Sequence, residues 1–198
     1  MALSLEEKYK IIYAHEEAFA FSLAKMVVKK PETSVWMILL PILFVHHAYR
    51  INQYKAGVKG FARGILSSKI KALDKTFREV STGEQLSYGV KEYFPDVDLT
   101  TEHEKTLAHK QITVLRIMET HYKSLLNAEG RDLQALHRRA YGRSDRYRDY
   151  FKRLAAAEKA LNRYLAQHVH TSEEAAAVVK AIEKHCETLR EDELKHFF

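Results

Sequence analysis

Glycine and proline are scarce in this 198-residue chain, at seven and three residues. An all-β protein needs such punctuation at nearly every turn, so that class is excluded, and the 46% of apolar residues excludes a disordered chain. Cysteine is scarcer still. Cys186 stands alone, so neither an internal disulfide nor a thiolate zinc site can form, and a reducing cytoplasmic compartment fits best. Catalytic signatures are missing as well: the chain has no Gly-x-Ser-x-Gly, no glycine-rich phosphate loop and no His-Glu-x-x-His. No uninterrupted apolar run reaches the length of a membrane crossing. What remains is an all-α protein without a recognisable reaction centre, for which no cofactor and no metal are expected.

Helical patterning fills most of the chain. Ser4 with Glu7 makes a capping box ahead of a long helix whose Leu5, Tyr9, Ile12, Phe19, Leu23 and Met26 recur at three and four, until Pro31 stops it. Glu16 falls on that stripe, and a wet stripe edge is expected there, the alternative being a cation or water that reaches it. Thr33 or Ser34 opens a second helix that is apolar on every side: Val35, Trp36, Met37, Ile38, Leu39, Leu40, Pro41, Ile42, Leu43, Phe44 and Val45. Pro41 removes the bond to the carbonyl of Met37 and predicts a kink. A further helix is expected up to about Val80, carrying Ile65, Ile70, Leu73 and Phe77, with a restart at Ser81 and Glu84 that runs to about Tyr93.

The acidic stretch from Pro95 to Asp98 is read as the main boundary, dividing the chain into an N-terminal helical, membrane-associating region (1–94) and a C-terminal helical bundle (95–198). In the second part Thr101 and Glu104 form another capping box, and the helix they open is expected to end at Gly130. A short helix is expected over 132–141. A long one follows Ser144, with Tyr147, Tyr150, Phe151, Leu154, Leu161, Tyr164 and Leu165 as its seam. Thr171 and Glu174 cap the last helix, whose Val178, Val179, Ile182, Cys186 and Leu189 are expected to face that seam as an antiparallel pair.

Charge is distributed unevenly. Between Lys25 and Arg78 lie eleven cations (Lys25, Lys29, Lys30, Arg50, Lys55, Lys59, Arg63, Lys69, Lys71, Lys75, Arg78) and only two acids, Glu32 and Asp74, although the whole chain carries just +6. A basic zone of this kind suits an anionic partner. Leaving the eleven side chains of Val35–Val45 in water would cost on the order of 20 kcal/mol, so something must cover them. At about 1.5 Å per residue the run spans roughly 16 Å, half of the about 30 Å of bilayer hydrocarbon. Cations stand on both sides of it: Lys25, Lys29 and Lys30 before, and Arg50, Lys55, Lys59 and Arg63 after. That pattern suits a bent segment dipping into one face of a membrane, the seven cations meeting lipid phosphates, and not a crossing. Glu6 and Glu7 at the start of the preceding helix differ from the basic start of a secretory leader.

The expectation is therefore a non-catalytic adaptor or scaffold on the cytoplasmic face of a membrane, binding an anionic lipid surface through its first part and a protein partner through its C-terminal bundle. The alternative is a soluble cytoplasmic bundle that binds nucleic acid or a ribonucleoprotein through the same cations, with Val35–Val45 as core. Two side readings are weaker. Arg138, Arg139, Arg143, Arg146, Arg148, Lys152 and Arg153 form a basic stretch, but Tyr147, Tyr150 and Phe151 within it fall on the packing seam. The only Glu-x-x-His pair, Glu193 with His196, is expected at a frayed chain end, and neither His46 with His47 nor His168 with His170 makes a metal site.

Overall fold

Local capping decides where most helices begin. Ser4 Oγ accepts from the Glu7 amide at 3.2 Å while Glu7 Oε2 accepts from the Ser4 amide at 2.7 Å, which opens α1 (Leu5–Val27). The computed structural model of the chain describes residues 2–27, 57–95, 99–168 and 173–198. The expected kinked helix and all of Val35–Val45 lie outside the described residues.

The next described helix, α2 (Val58–Thr82), ends at Gly83, whose φ of 73° is a left-handed backbone that glycine adopts freely and whose amide donates to Glu79 O at 3.0 Å. The expected restart at Ser81 does not occur, because Ser81 Oγ donates backward to Arg78 O at 3.0 Å and belongs to the helix that is finishing. Residues 83–89 are non-helical, and only the single turn α3 (Val90–Tyr93) precedes Pro95. The Thr101–Glu104 capping box forms as expected and opens α4 (Glu102–Asn127), which stops three residues before Gly130. Asp132 Oδ1 accepts from the Ala135 amide at 2.8 Å to start α5 (Leu133–Tyr141), and Gly142, at φ 72°, closes it. Two long helices complete the chain, α6 (Ser144–His168) and α7 (Glu173–Phe197). The fold is all-α: seven helices pack on one another among the described residues, with no strand.

Pairings between side chains fix the helix directions. Tyr9 donates to Asp74 and Lys69 to Glu16, so α1 and α2 run antiparallel, and Val27 shares a buried cluster with Phe61 and Ala62. Between α6 and α7, Tyr147 meets Glu193 and Asn162 meets Glu183, again in opposite order. The larger cluster gathers Ile12, Leu73, Leu115, Tyr122, Leu136, Leu154 and Phe197, so buried side chains from both sides of Pro95 share one core. The smaller joins Phe19, Leu23 and Val27 of α1 and Phe61 and Leu66 of α2 to Cys186 of α7. Cys186, Ile182 and Leu189 therefore pack toward α1 and α2, whereas the α6 seam was expected to receive them.

The chain end is also docked where fraying was expected. Leu194 and Phe197 are buried, Arg138 Nε donates to Phe197 O at 2.7 Å, and Gln134 Nε2 donates to His196 O at 2.9 Å.

Candidate functional site

Of the residues expected to meet a membrane, Val35–Val45, Lys29, Lys30, Arg50 and Lys55 lie outside the described residues. Lys25, in the last turn of α1, and Lys59 and Arg63, one turn apart at the start of α2, are described, and all three are exposed. Antiparallel pairing of α1 and α2 sets them at one end of the helix pair, the same end at which Val27 and Gly57 stand. Among the described residues, no helix is long and apolar enough to cross a membrane.

Three other cations of the basic stretch are turned inward, while Arg78 is exposed. Lys69 is buried against Glu16, Lys71 donates to Tyr93 O at 2.9 Å, and Lys75 pairs with Glu119 at 2.6 Å and Glu79 at 3.1 Å. These charges hold α2 to its neighbours and are not offered to a partner. Burial pushes the Glu119 carboxyl above its ordinary range even with Lys75 beside it. Burial acts the same way on Glu79, but there Lys75 and the Leu86 amide prevail and the group ends below that range.

The most unusual chemistry in the described residues is a buried polar network that the sequence reading missed. Glu16 is only 5% exposed, so its edge of the α1 stripe is dry: Oε2 accepts from Lys69 Nζ at 2.5 Å and Oε1 from the Tyr122 hydroxyl at 2.8 Å. A second carboxylate, Glu193, accepts from the Tyr147 hydroxyl and lies 3.0 Å from His15 Nε2. Burial alone would raise the Glu193 carboxyl, but His15 and Tyr147 outweigh it and hold the group below the usual carboxylate range. His15 responds in kind: burial would lower its pKa, but the Glu193 partnership lifts it above the ordinary imidazole value. His121 and His137 have no such partner, and burial drives both down, His137 to about 4.

A signal for part of this network was present. Ile65, Lys69 and Leu73 are spaced by four, which places Lys69 on the apolar face of α2 just as Glu16 sits on the apolar stripe of α1. Two opposite charges on two apolar stripes are a pairing pattern. Tyr147, Tyr122 and His15 lie 46, 106 and 178 residues from their carboxylate partners and leave no local trace.

Chemically the network is closed. Each carboxylate is shared between a cation or imidazole and a tyrosine hydroxyl, and no group of three His, Cys, Asp or Glu among the described residues could hold a metal ion. An apolar cleft of about 330 Å³ lies beside it, walled by Phe19, Leu23, Ile65, Val114, Met118 and Ile182. Two of its buried charged members, Lys69 and Arg190, are paired with Glu16 and Glu158, and burial pushes the Cys186 thiol on its wall up to about 12. The Cys186 thiol is therefore not a ready nucleophile at neutral pH. Comparison of the chain with family models, with curated proteins and with solved structures gave no match.

Proposed function

We propose that the chain is a non-catalytic helical adaptor or scaffold held on the cytoplasmic face of a membrane. Val35–Val45 enters the apolar layer from one side, and Lys25, Lys29, Lys30, Arg50, Lys55, Lys59 and Arg63 meet anionic headgroups. The observation that carries this reading is the position of the segment's two flanks. Val27 and Gly57 stand at the same end of an antiparallel helix pair, among the exposed Lys25, Lys59 and Arg63. A single crossing would set the flanks on opposite sides of about 30 Å of hydrocarbon. A dip returns the chain to the side it left, in keeping with flanks at one end of the pair. Each cation near an anionic surface contributes about 1 kcal/mol, so several reinforce a short apolar insertion that is weak alone. The helices after Pro95 then serve as the surface for a protein partner.

The test is flotation of the full chain on vesicles of phosphatidylcholine, with and without phosphatidylserine, beside the variant Leu40→Asp. The expected result is flotation with the anionic vesicles, only partial release by high salt, and loss of flotation in a variant whose helical circular dichroism is unchanged. A wild-type chain that stays in the dense fraction, or a Leu40→Asp variant that aggregates, overturns the reading and makes the segment part of the core. Salt-steep binding to a nucleic-acid fragment without flotation would favour the nucleic-acid alternative. The inward use of Lys69, Lys71 and Lys75 takes cations away from that alternative.

A further inference from the structure

α5 is nine residues long and is held where α1, α4, α6 and the last turn of α7 meet. His137 is at its centre and only 1% exposed. Its Nδ1 lies 2.9 Å from Leu133 O and so carries the proton, leaving Nε2 buried with no hydrogen-bond partner. The ring stacks on Phe197, centroids 3.9 Å apart and 14° from parallel, and lies 5.0 Å from the ring of Tyr147. His121 is 5.7 Å away and His15 6.3 Å.

The elements around this ring bring titratable or charged groups: His15 and Glu16 from α1, His121 from α4, Tyr147 from α6 and Glu193 from α7, with Lys69 of α2 and Tyr150 of α6 beside the neighbouring His121. Arg138 and Tyr141 belong to α5 itself. Both carboxylates are already engaged, Glu16 by Lys69 and Tyr122, and Glu193 by His15 and Tyr147. His121 shares its Nδ1 with the Tyr141 hydroxyl at 2.6 Å. A second proton on His137 would therefore meet no acceptor for its Nε2–H and no free counter-charge, in a site that excludes water. Opening the site hydrates that charge.

We propose that α5 and the last turn of α7 form an acid-sensitive latch: protonation of the His137 ring separates it from Phe197 and releases α5 together with the chain end. The remaining ties across this contact are Arg138 Nε to Phe197 O and Gln134 Nε2 to His196 O, both hydrogen bonds that water can replace. The imidazoles on α1 and α4, His15 and His121, already have partners in Glu193 and the Tyr141 hydroxyl, and the packing of α1, α2 and α4 around Leu73, Leu115 and Met118 stays closed. The latch would expose Phe197 and the wall of Leu136 and Tyr147 beneath it, an apolar surface hidden at neutral pH.

Hydrogen–deuterium exchange of the full chain at about pH 7 and about pH 5, corrected for intrinsic rates, tests this. A single linked proton makes the opening constant grow about tenfold per pH unit below an ordinary imidazole pKa. The latch predicts that growth in peptides covering 133–141 and 190–198, and none in peptides covering 66–77 and 107–118. The variant His137→Phe keeps an aromatic ring on Phe197 and takes no proton there, so these two peptides should open far less with acid than in the wild type. Opening of all segments together, no selective opening in the wild type, or equal acid opening in His137→Phe overturns the proposal. The wild-type comparison decides by itself if the variant does not fold.

Discussion

Replacing Glu16 by leucine attacks the contact that fixes α1 against α2. Lys69 reaches Glu16 from across the helix pair at 2.5 Å, with its ammonium 4.5 Å above the Phe19 ring, and Tyr122 closes the other carboxylate oxygen. Glu16, Lys69 and Tyr122 are all buried. Glu16→Leu leaves an ammonium without its counter-ion and a tyrosine hydroxyl without its acceptor. Breaking a buried pair from one side costs about 3–5 kcal/mol, a large part of the roughly 5–15 kcal/mol that keeps such a domain folded. Glu16→Leu combined with Lys69→Met removes both charges, and apolar replacement of a buried pair is close to neutral. The double variant should therefore recover at least about 2 kcal/mol of the single variant's loss, the orphaned Tyr122 hydroxyl accounting for about 1–3 kcal/mol of what is not recovered. Urea unfolding followed by circular dichroism measures both, provided the slope against denaturant is unchanged. A Glu16→Leu variant that loses under about 1 kcal/mol, or a double variant no better than the single, would refute the reasoning.

Stability should fall on acidification. Folded His137 titrates at about 4 against about 6.5 when unfolded, so the unfolded chain binds more protons between those values. Its contribution is complete above about pH 6.5 and declines by about 3 kcal/mol as pH falls toward 4, with His121 acting in the same direction. His15 has the opposite sign, its contribution being present below about pH 6.5 and lost as pH rises through its raised folded value. Thermal melts across this range should show a midpoint dropping below about pH 6; a flat profile contradicts the burial argument. Cys186 should be silent toward a disulfide-exchange reagent in the native chain and react fully in denaturant, since it is buried and its thiol is pushed up to about 12. Fast native labelling would refute its place in the core.

The sequence was most readable where structure is local. Two capping boxes, Ser4 with Glu7 and Thr101 with Glu104, form as expected because their partners are three residues apart. The same spacing misled at Ser81 and Glu84, where Gly83 takes a left-handed conformation and Ser81 bonds back to Arg78. Glu16 looked like a wet stripe edge because its partners Lys69 and Tyr122 are 53 and 106 residues away. The count of cations was legible and their direction was not: Lys69, Lys71 and Lys75 contribute to the basic total but satisfy groups inside the fold. The chain end looked free because nothing local anchors it, yet Phe197 meets His137, sixty positions earlier.

Trp36 is the only tryptophan in the chain and stands at the start of the apolar segment, so its fluorescence reports on that segment without a label. In vesicles of phosphatidylserine and phosphatidylcholine with brominated acyl chains, membrane insertion predicts a blue shift on vesicle addition and strong quenching by the bromines. An emission that is already blue in buffer, unchanged by vesicles and untouched by the brominated chains would place Trp36 inside the protein and contradict the account.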